Sequence, residues 1–404
     1  MTFGVRTALR GIGTTIFSEM TALAQRTGAV NLGQGFPDTD GPAGMLAAAQ
    51  AAIAGGLNQY PPVDGLPALK EAIVQARFAR YGLAYDPATE VVTTAGATEA
   101  VAATLLALCE PGDEVVLFEP YYDSYLANVA MAGATHRAVP LRPTNDGFAF
   151  DPDDLRRAVS GRTKMIVLNS PHNPTGKVFS RAELELIAQV CVERDLIAVT
   201  DEVYEYLTYD GLEHVPLAGL PGMRERTVTI SSAGKTFSCT GWKIGWALGP
   251  AELVGAVRKA KQFMTFASGT PFQAAVAHAL THELDWVAEL TKSLQERRDL
   301  LRSGLTAAGV RTYPAQGTYF LQADAASWGY ADGAALCRDL AERGGVVAIP
   351  TQVFYDDPAS GQGLVRFAFC KRPEVLSDAV SRLSTFRPSE TFRPSETIRP
   401  SEGK

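Results

Sequence analysis

The stretch SSAGKTFSCTGWKIGW, residues 231–246, puts Lys235 a few positions beyond the apolar run at 228–230. A second lysine, Lys243, follows eight residues later. A lysine amine is a nucleophile only when neutral, and desolvation or a nearby cation supplies that form by lowering its pKa. The run at 228–230 has the composition of a buried strand. Active sites of open α/β sheets lie at the carboxyl ends of such strands, which is where Lys235 falls. Lys243 is the nearby cation. Taken alone, a lysine after a strand is usually solvated. Cys239, between the two lysines, reads either as a reactive thiol or as a small buried residue.

Other segments repeat the pattern of an apolar run followed by polar residues. DEVYEYLTYDG follows the run at 197–200 and puts Asp201 at its carboxyl end. An acid there either holds a positively charged ring nitrogen or caps a helix. Tyr204, three residues on, can turn its hydroxyl to the same place. NSPHNPTGKVF, residues 169–179, follows the run at 165–168. Its prolines and glycine exclude helix and strand, so it is a shaped loop. Asn173 on that loop is placed to hydrogen-bond a phenolate-type oxygen, or is a turn residue. His172 is either a proton carrier or part of the turn. AGATEA, residues 95–100, lies where the run at 91–94 turns into a helix. Its small residues let backbone N–H groups reach a phosphate. It is neither a GxGxxG motif nor a P-loop, which speaks against a dinucleotide or ATP. EPYYDSY, residues 119–125, offers aromatic faces for stacking. Each feature alone is common. Together they describe a phosphate cradle, an aromatic plate, an amide for a ring oxygen, an acid for a ring nitrogen and a lysine for an imine. That set matches pyridoxal phosphate.

The elements that must position these residues alternate along the chain. Helical patterns cover about 16–26, with Thr14 or Thr15 as cap, then 44–54 and 66–81, and further helices start near Ala97 and Ser180. Strand patterns cover 91–94, 114–118, 136–139, 165–168, 197–200 and 228–231. Short β-branched runs separated by helices predict an α/β fold with a mostly parallel sheet covered on both faces. A long charged helix from about Trp286 leads into a second α/β unit, with strands at about 318–322, 346–349 and 364–369. The hexapeptides TFRPSE, TFRPSE and TIRPSE then repeat from Thr385 to Glu402. Such a repeat buries little apolar surface and reads as a disordered tail at 385–404.

Composition excludes several classes. The net charge is −7 and no basic stripe stands out, so nucleic acid is not an expected partner. The five cysteines are scattered and never form CxxC, which argues against a disulfide framework or a zinc site. No apolar run approaches a membrane span, and the N-terminus has no secretory pattern. The expectation is a cytoplasmic protein without metal or membrane.

NLGQGFPD, GATEA, EPYYDSY, NSPHNPTG, TDEVYE, SSAGKTFSCTGWKIGW and RFAFCK occur in this order. In them the chain resembles the fold-type I pyridoxal-phosphate aminotransferases of class I/II, over about residues 12–385. It looks closest to the branch holding kynurenine aminotransferase and cysteine-S-conjugate β-lyase, and within it to N-succinyldiaminopimelate aminotransferases. The resemblance implies a mostly parallel seven-stranded sheet in a large cofactor-binding domain at 46–285. It implies a smaller α/β domain at 286–384, which the segment 1–45 joins. It implies that Lys235 binds the cofactor and later moves the proton, that Asp201 pairs with the pyridinium nitrogen, and that Tyr204 and Asn173 bond the ring oxygen. Tyr122 would stack on the ring. Gly96, Ala97, Thr98, Ser232 and Lys243 would hold the phosphate, as would Tyr60 from a neighbouring subunit of a homodimer. Arg366 would pair with the substrate α-carboxylate, with Asn173 beside it and Gly35 leaving room. Many relatives carry arginine where this chain has Lys243; lysine there fits the kynurenine-aminotransferase-like branch.

The expected reaction moves an amino group between an α-amino acid, with glutamate as one partner, and a 2-oxo acid by a ping-pong scheme. The resemblance points to N-succinyldiaminopimelate and 2-oxoglutarate. Kynurenine, glutamine or methionine transamination and β-elimination from a cysteine conjugate remain alternatives, as does a non-catalytic regulator. Phe17, Tyr122, Phe263 and Phe266 are candidates for an aromatic side-chain pocket, or for core. No arginine in the sequence marks itself as the partner of a distal carboxylate.

Overall fold

The computed structural model describes Gly4 and residues 15–387. Its centre is a seven-stranded sheet of β1 (Val91–Ala95), β2 (Glu114–Glu119), β3 (Thr135–Pro140), β4 (Thr163–Asn169), β5 (Ile197–Asp201), β6 (Thr227–Ser232) and β7 (Ile244–Leu248). The order across the sheet is β1-β7-β6-β5-β4-β2-β3. β7 runs antiparallel to both neighbours, and every other pairing is parallel. Six strands coincide with the β-branched runs of the sequence. β7, IGWAL, holds only one β-branched residue, so its composition does not mark it as a strand.

Parallel strands are joined by crossovers that cover both faces, and the side chains show it. Val115 and Leu117 of β2 join a buried cluster with Val101, Val254 and Val257. The intervening Val116 and Phe118 join another with Leu184 and Ile187. Each such side chain, fully buried, contributes about 1.5–3 kcal/mol. The helix Gly96–Leu108 packs on the helix Ala251–Lys261 over the first face. The helix Arg181–Glu193 covers the second. It starts at Ser180, whose hydroxyl accepts from the Glu183 N–H while the Glu183 carboxylate accepts from the Ser180 N–H. Helices Ala43–Ala54, Pro67–Tyr81 and Thr270–His282 close the β1 end around Met45, Ile73, Trp246 and Leu280.

A separate buried cluster gathers Met20 and Leu23 from the helix Ile16–Thr27 and Leu301 and Leu305 from the helix Leu284–Ala307. Leu321, Ile349 and Phe367 join it from a three-stranded sheet of Phe320–Asp324, Leu364–Ala368 and Ile349–Pro350. Thr15 caps the first helix by accepting from the Ser18 N–H; Thr14 lies outside the described residues.

Several local expectations are corrected. The strand expected at 318–322 starts only at Phe320, because Thr318 has a φ of 64°, outside the extended region. The strand expected at 346–349 is two. Val346–Val347 pairs with Val30–Asn31, and Ile349–Pro350 pairs with Leu364–Ala368, so the chain changes partner at Ala348. The first residues of the tail expected at 385–404 are ordered. Thr385 ends the helix Pro373–Thr385, and Phe386 is buried edge-on against Trp328 with ring centres 5.7 Å apart. The repeat beyond residue 387 lies outside the described residues. No described helix is long and apolar enough to cross a membrane.

Candidate active site

The parallel strands end on one edge of the sheet, and β7, running the other way, begins there. A cavity of about 390 Å³ opens at that edge. It is lined by Gly35, Gly96, Ala97, Thr98, Tyr122, Asn173, Asp201, Tyr204, Ser232, Lys235, Lys243 and Arg366, all singled out from the sequence.

One end of the cavity is built for an anion. The helix Gly96–Leu108 begins after Ala95, which offers no side-chain cap, so N–H groups of its first turn lack a side-chain acceptor. Gly96 has a φ of 76°, and a Cβ there would meet Lys243 Nζ at 3.1 Å. A Cβ on Gly245 of β7 would meet the Ala97 nitrogen at 2.7 Å, so only glycine lets the two backbones approach. Lys243 Nζ lies 3.4 Å from Thr98 Oγ1. Ser232 lines the same region from the end of β6. A helix N-terminus, a cation and hydroxyls together favour a phosphate.

Asp201 sits deeper and is 6% exposed. It accepts from Tyr125 Oη at 2.6 Å and from the Val203 N–H at 3.2 Å. Burial pushes its pKa above the usual carboxylate value. No salt bridge holds it among the described residues, and Lys235 acts on it only through space, so it is a buried acid held by hydrogen bonds alone. Asn169 stitches two loops here. Its Nδ2 donates to the Asp201 carbonyl at 2.9 Å, and its Oδ1 accepts from the Asn173 N–H at 2.7 Å.

Arg366 is 1% exposed. Its Nη1 donates to Asn173 Oδ1 and its Nη2 to the Gly33 carbonyl, each at 2.9 Å. Nε has no partner among the described residues. The guanidinium lies 4.0 Å over the Phe320 ring and 5.2 Å over Phe17. No described carboxylate pairs with it, and burial brings its pKa down to about 10. Lys235 Nζ donates to Tyr319 Oη at 2.9 Å and to the Gly35 carbonyl at 3.4 Å. Desolvation lowers its pKa to about 8, so about a tenth of the amine is the neutral nucleophile at pH 7. Gly35 is needed for a closer reason than room at the carboxylate: a Cβ there would strike the Phe320 ring at 2.5 Å.

Other candidates fall elsewhere. Tyr60 is 83% exposed, off the cavity, with its ring edge-on to Phe266 at 5.3 Å. Phe263, 86% exposed, and Phe266 do not line the cavity; of the four aromatic candidates only Phe17 and Tyr122 do. His172 is buried outside the cavity with Nδ1 2.8 Å from Thr175 Oγ1, and burial pushes its pKa down to about 3, so it stays neutral. Cys239 is buried, its Sγ donates to the Ala233 carbonyl at 3.4 Å, and burial pushes its pKa up to about 12. It is a packed thiol. Tyr125 and Tyr319 escape sequence reasoning. EPYYDSY and GTYF mark aromatics, but which hydroxyl turns inward depends on packing.

Residues 27–383 match the family described as aminotransferase class I and II. The chain belongs to that family. This aminotransferase is 56% identical over 385 residues to the probable N-succinyldiaminopimelate aminotransferase DapC of Mycobacterium tuberculosis, spanning 93% of this chain and 97% of that one. The solved structure of the N-succinyldiaminopimelate aminotransferase from that organism superposes with a TM-score of 0.93, covering 94% of this chain and 99% of that chain at 56% identity. The methionine aminotransferase of Escherichia coli is 38% identical, over 92% of this chain and 96% of that one. The kynurenine–oxoglutarate transaminase 3 of Mus musculus is also 38% identical, over 92% of this chain and 88% of that one. The aminotransferase therefore has the fold-type I architecture and the expected kynurenine-aminotransferase-like relatives. Enzymes of this class and fold use pyridoxal phosphate, and the chemistry of the cavity suits that group. It offers an anion cradle, a lysine of depressed pKa, and a buried acid with no salt bridge among the described residues.

Proposed function

We propose that this transaminase acts on N-succinyldiaminopimelate, with glutamate and 2-oxoglutarate as the other amino/oxo pair. The observation that carries it is the 56% identity, over nearly the whole of both chains, to the M. tuberculosis protein of that name. Bound pyridoxal phosphate supplies the electron sink that stabilises charge developing at the substrate Cα. Lys235 is the amine that holds the cofactor and, when free, takes the Cα proton. Asp201 keeps the ring nitrogen protonated, and Tyr125 holds that carboxylate in place. Tyr204 and the Asn173 NH₂ donate to the ring oxygen, while Asn173 Oδ1 orients Arg366. Tyr122 covers the ring. Gly96, Ala97, Thr98, Ser232 and Lys243 hold the phosphate. Arg366 takes the α-carboxylate.

The same reading makes the enzyme a homodimer in which Tyr60 reaches the phosphate of the partner subunit. The exposed Tyr60, Phe263 and Phe266 support it as an apolar surface for a second copy. It keeps 46–285 as the cofactor-binding body and joins 1–45 to 286–384, supported by Met20 and Leu32 sharing a cluster with Leu301 and Phe367. Five free, buried cysteines support a reducing cytoplasm.

The test is a half-reaction. Protein in the yellow aldehyde form is mixed with N-succinyldiaminopimelate, glutamate, kynurenine, glutamine or methionine, without an oxo acid. Fastest conversion to the pyridoxamine form by the first two supports the proposal. Faster conversion by kynurenine or methionine reassigns the substrate, and pyruvate released from a cysteine conjugate without conversion marks a lyase. Asp201→Asn keeps an acceptor for Tyr125 but removes the charge. Its half-reaction rate is expected to fall about 10²–10³-fold. Its cofactor-free unfolding midpoint should be no lower than the parent's, since the buried charge is gone. A parental rate in this variant would take Asp201 out of the chemistry.

A further inference from the structure

Lys235 makes its shorter hydrogen bond to a residue that the sequence analysis did not name. Its Nζ donates to Tyr319 Oη at 2.9 Å, and Tyr319 Oη in turn donates to the Gly35 carbonyl at 2.6 Å. Tyr319 is 1% exposed, and its ring stands edge-on against Tyr204 at 5.2 Å and 89°. The Tyr204 side chain also hydrogen-bonds this phenol. Gly35 makes the relay fit, because any side chain there would collide with Phe320.

We propose that Tyr319 is a positioning residue for Lys235, a relay that holds the free amine with its lone pair turned away from Tyr319 and toward the substrate. A neutral amine has two N–H donors and one lone pair. Tyr319 Oη and the Gly35 carbonyl, at 2.9 and 3.4 Å, accept from the nitrogen on one side. The lone pair is left for the cavity that Lys235 lines. A base so aimed needs no reorganisation before it takes a proton. Burial holds the Tyr319 phenol well above its ordinary pKa, so it stays protonated and donates to Gly35 rather than acting as the base. The other groups that act on the amine are Asp201, Cys370, Arg366 and Lys243, with the Tyr204 ring 5.6 Å away. Of the charged groups, the two cations favour the neutral amine and the acid favours the ammonium. The Tyr319 oxygen adds an acceptor that favours the ammonium.

The inference rests on Lys235 being the cofactor lysine. The test compares the parent with Tyr319→Phe, which keeps the ring and removes only the relay. In the full-length chain freed of cofactor, the pH dependence of Lys235 acetylation reports its pKa. Loss of an acceptor should move that profile down by about one pH unit. In the loaded enzyme, kcat should fall about 3- to 10-fold. The isotope effect from substrate deuterated at Cα should rise while KM changes little. Tyr319→Leu, which also loses the ring, should lower the unfolding midpoint but give the same acetylation shift. An unmoved acetylation profile and isotope effect overturn the inference, even if kcat falls, because packing alone would then explain the loss. Borohydride fixation of the cofactor separates the two levels. Fixation at Lys235 with no Tyr319 effect removes this inference alone, and fixation at another residue removes the role of Lys235 and the relay with it.

Discussion

Lys235→Ala is expected to lose transamination by about 10⁴-fold or more while the fold survives. Two roles vanish with one amine: the covalent hold on the cofactor and the base at Cα. The fold has little reason to suffer. The ammonium makes no salt bridge among the described residues, and its surroundings disfavour the charge. The sign can be worked out. The folded pKa, about 8, is depressed from 10.5, so the folded state binds that proton less well than the unfolded chain. The resulting penalty is absent above about 10.5, grows as pH falls, and is complete below about 8. The alanine variant lacks it. Its unfolding midpoint relative to the cofactor-free parent should therefore improve as pH is lowered through that window. Added methylamine should restore part of the half-reaction. A variant retaining even a few per cent of parental turnover without added amine would end the assignment.

Arg366→Ala carries the second large effect. The guanidinium is buried, has no described carboxylate partner and keeps an unsatisfied Nε. A substrate carboxylate would give this buried charge the ion-pair partner that the described residues do not. Removing one partner of a buried, hydrogen-bonded charge pair is expected to lower kcat/KM for α-carboxylate substrates about 10²–10³-fold. The cofactor spectrum should be unchanged, since the anion cradle lies at Gly96 and Lys243. Arg366→Lys should recover only part of the loss, because an ammonium cannot hold Asn173, Gly33 and a carboxylate in one planar fork. An unchanged kcat/KM for Arg366→Ala would place the carboxylate elsewhere.

Much of the site was legible because the chemistry sits at strand ends, and strand ends are marked by composition. Asp201, Asn173, Ser232 and Lys235 each follow a β-branched run, so their shared edge follows once the strands are parallel. From the residues alone Lys243 was legible only as a neighbour in sequence, and the resemblance made it a phosphate ligand. It reaches the cradle because β7 runs antiparallel and pairs Ile244 with Ala95 and Gly245 with Ser232. Nothing in IGWAL announces that direction. Arg366 was found through the resemblance of RFAFCK; on its own it reads as a strand-end surface arginine. Its burial over Phe320 and Phe17 comes from the packing of the three-stranded sheet against the cavity.

The sequence by itself determined the alternation of strands and helices, the residues at the strand ends and the cofactor class they suit. Local propensity and spacing carry that information. Tertiary structure decided which hydroxyls face inward. Tyr125 on Asp201 and Tyr319 on Lys235 depend on contacts between residues 76 and 84 positions apart. It also decided that Phe263 and Phe266 leave the cavity, that the strand near Ala348 splits between two partners, and that Phe386 is core. Each is a choice among partners distant in sequence, settled by which apolar faces and buried polar groups can be satisfied together.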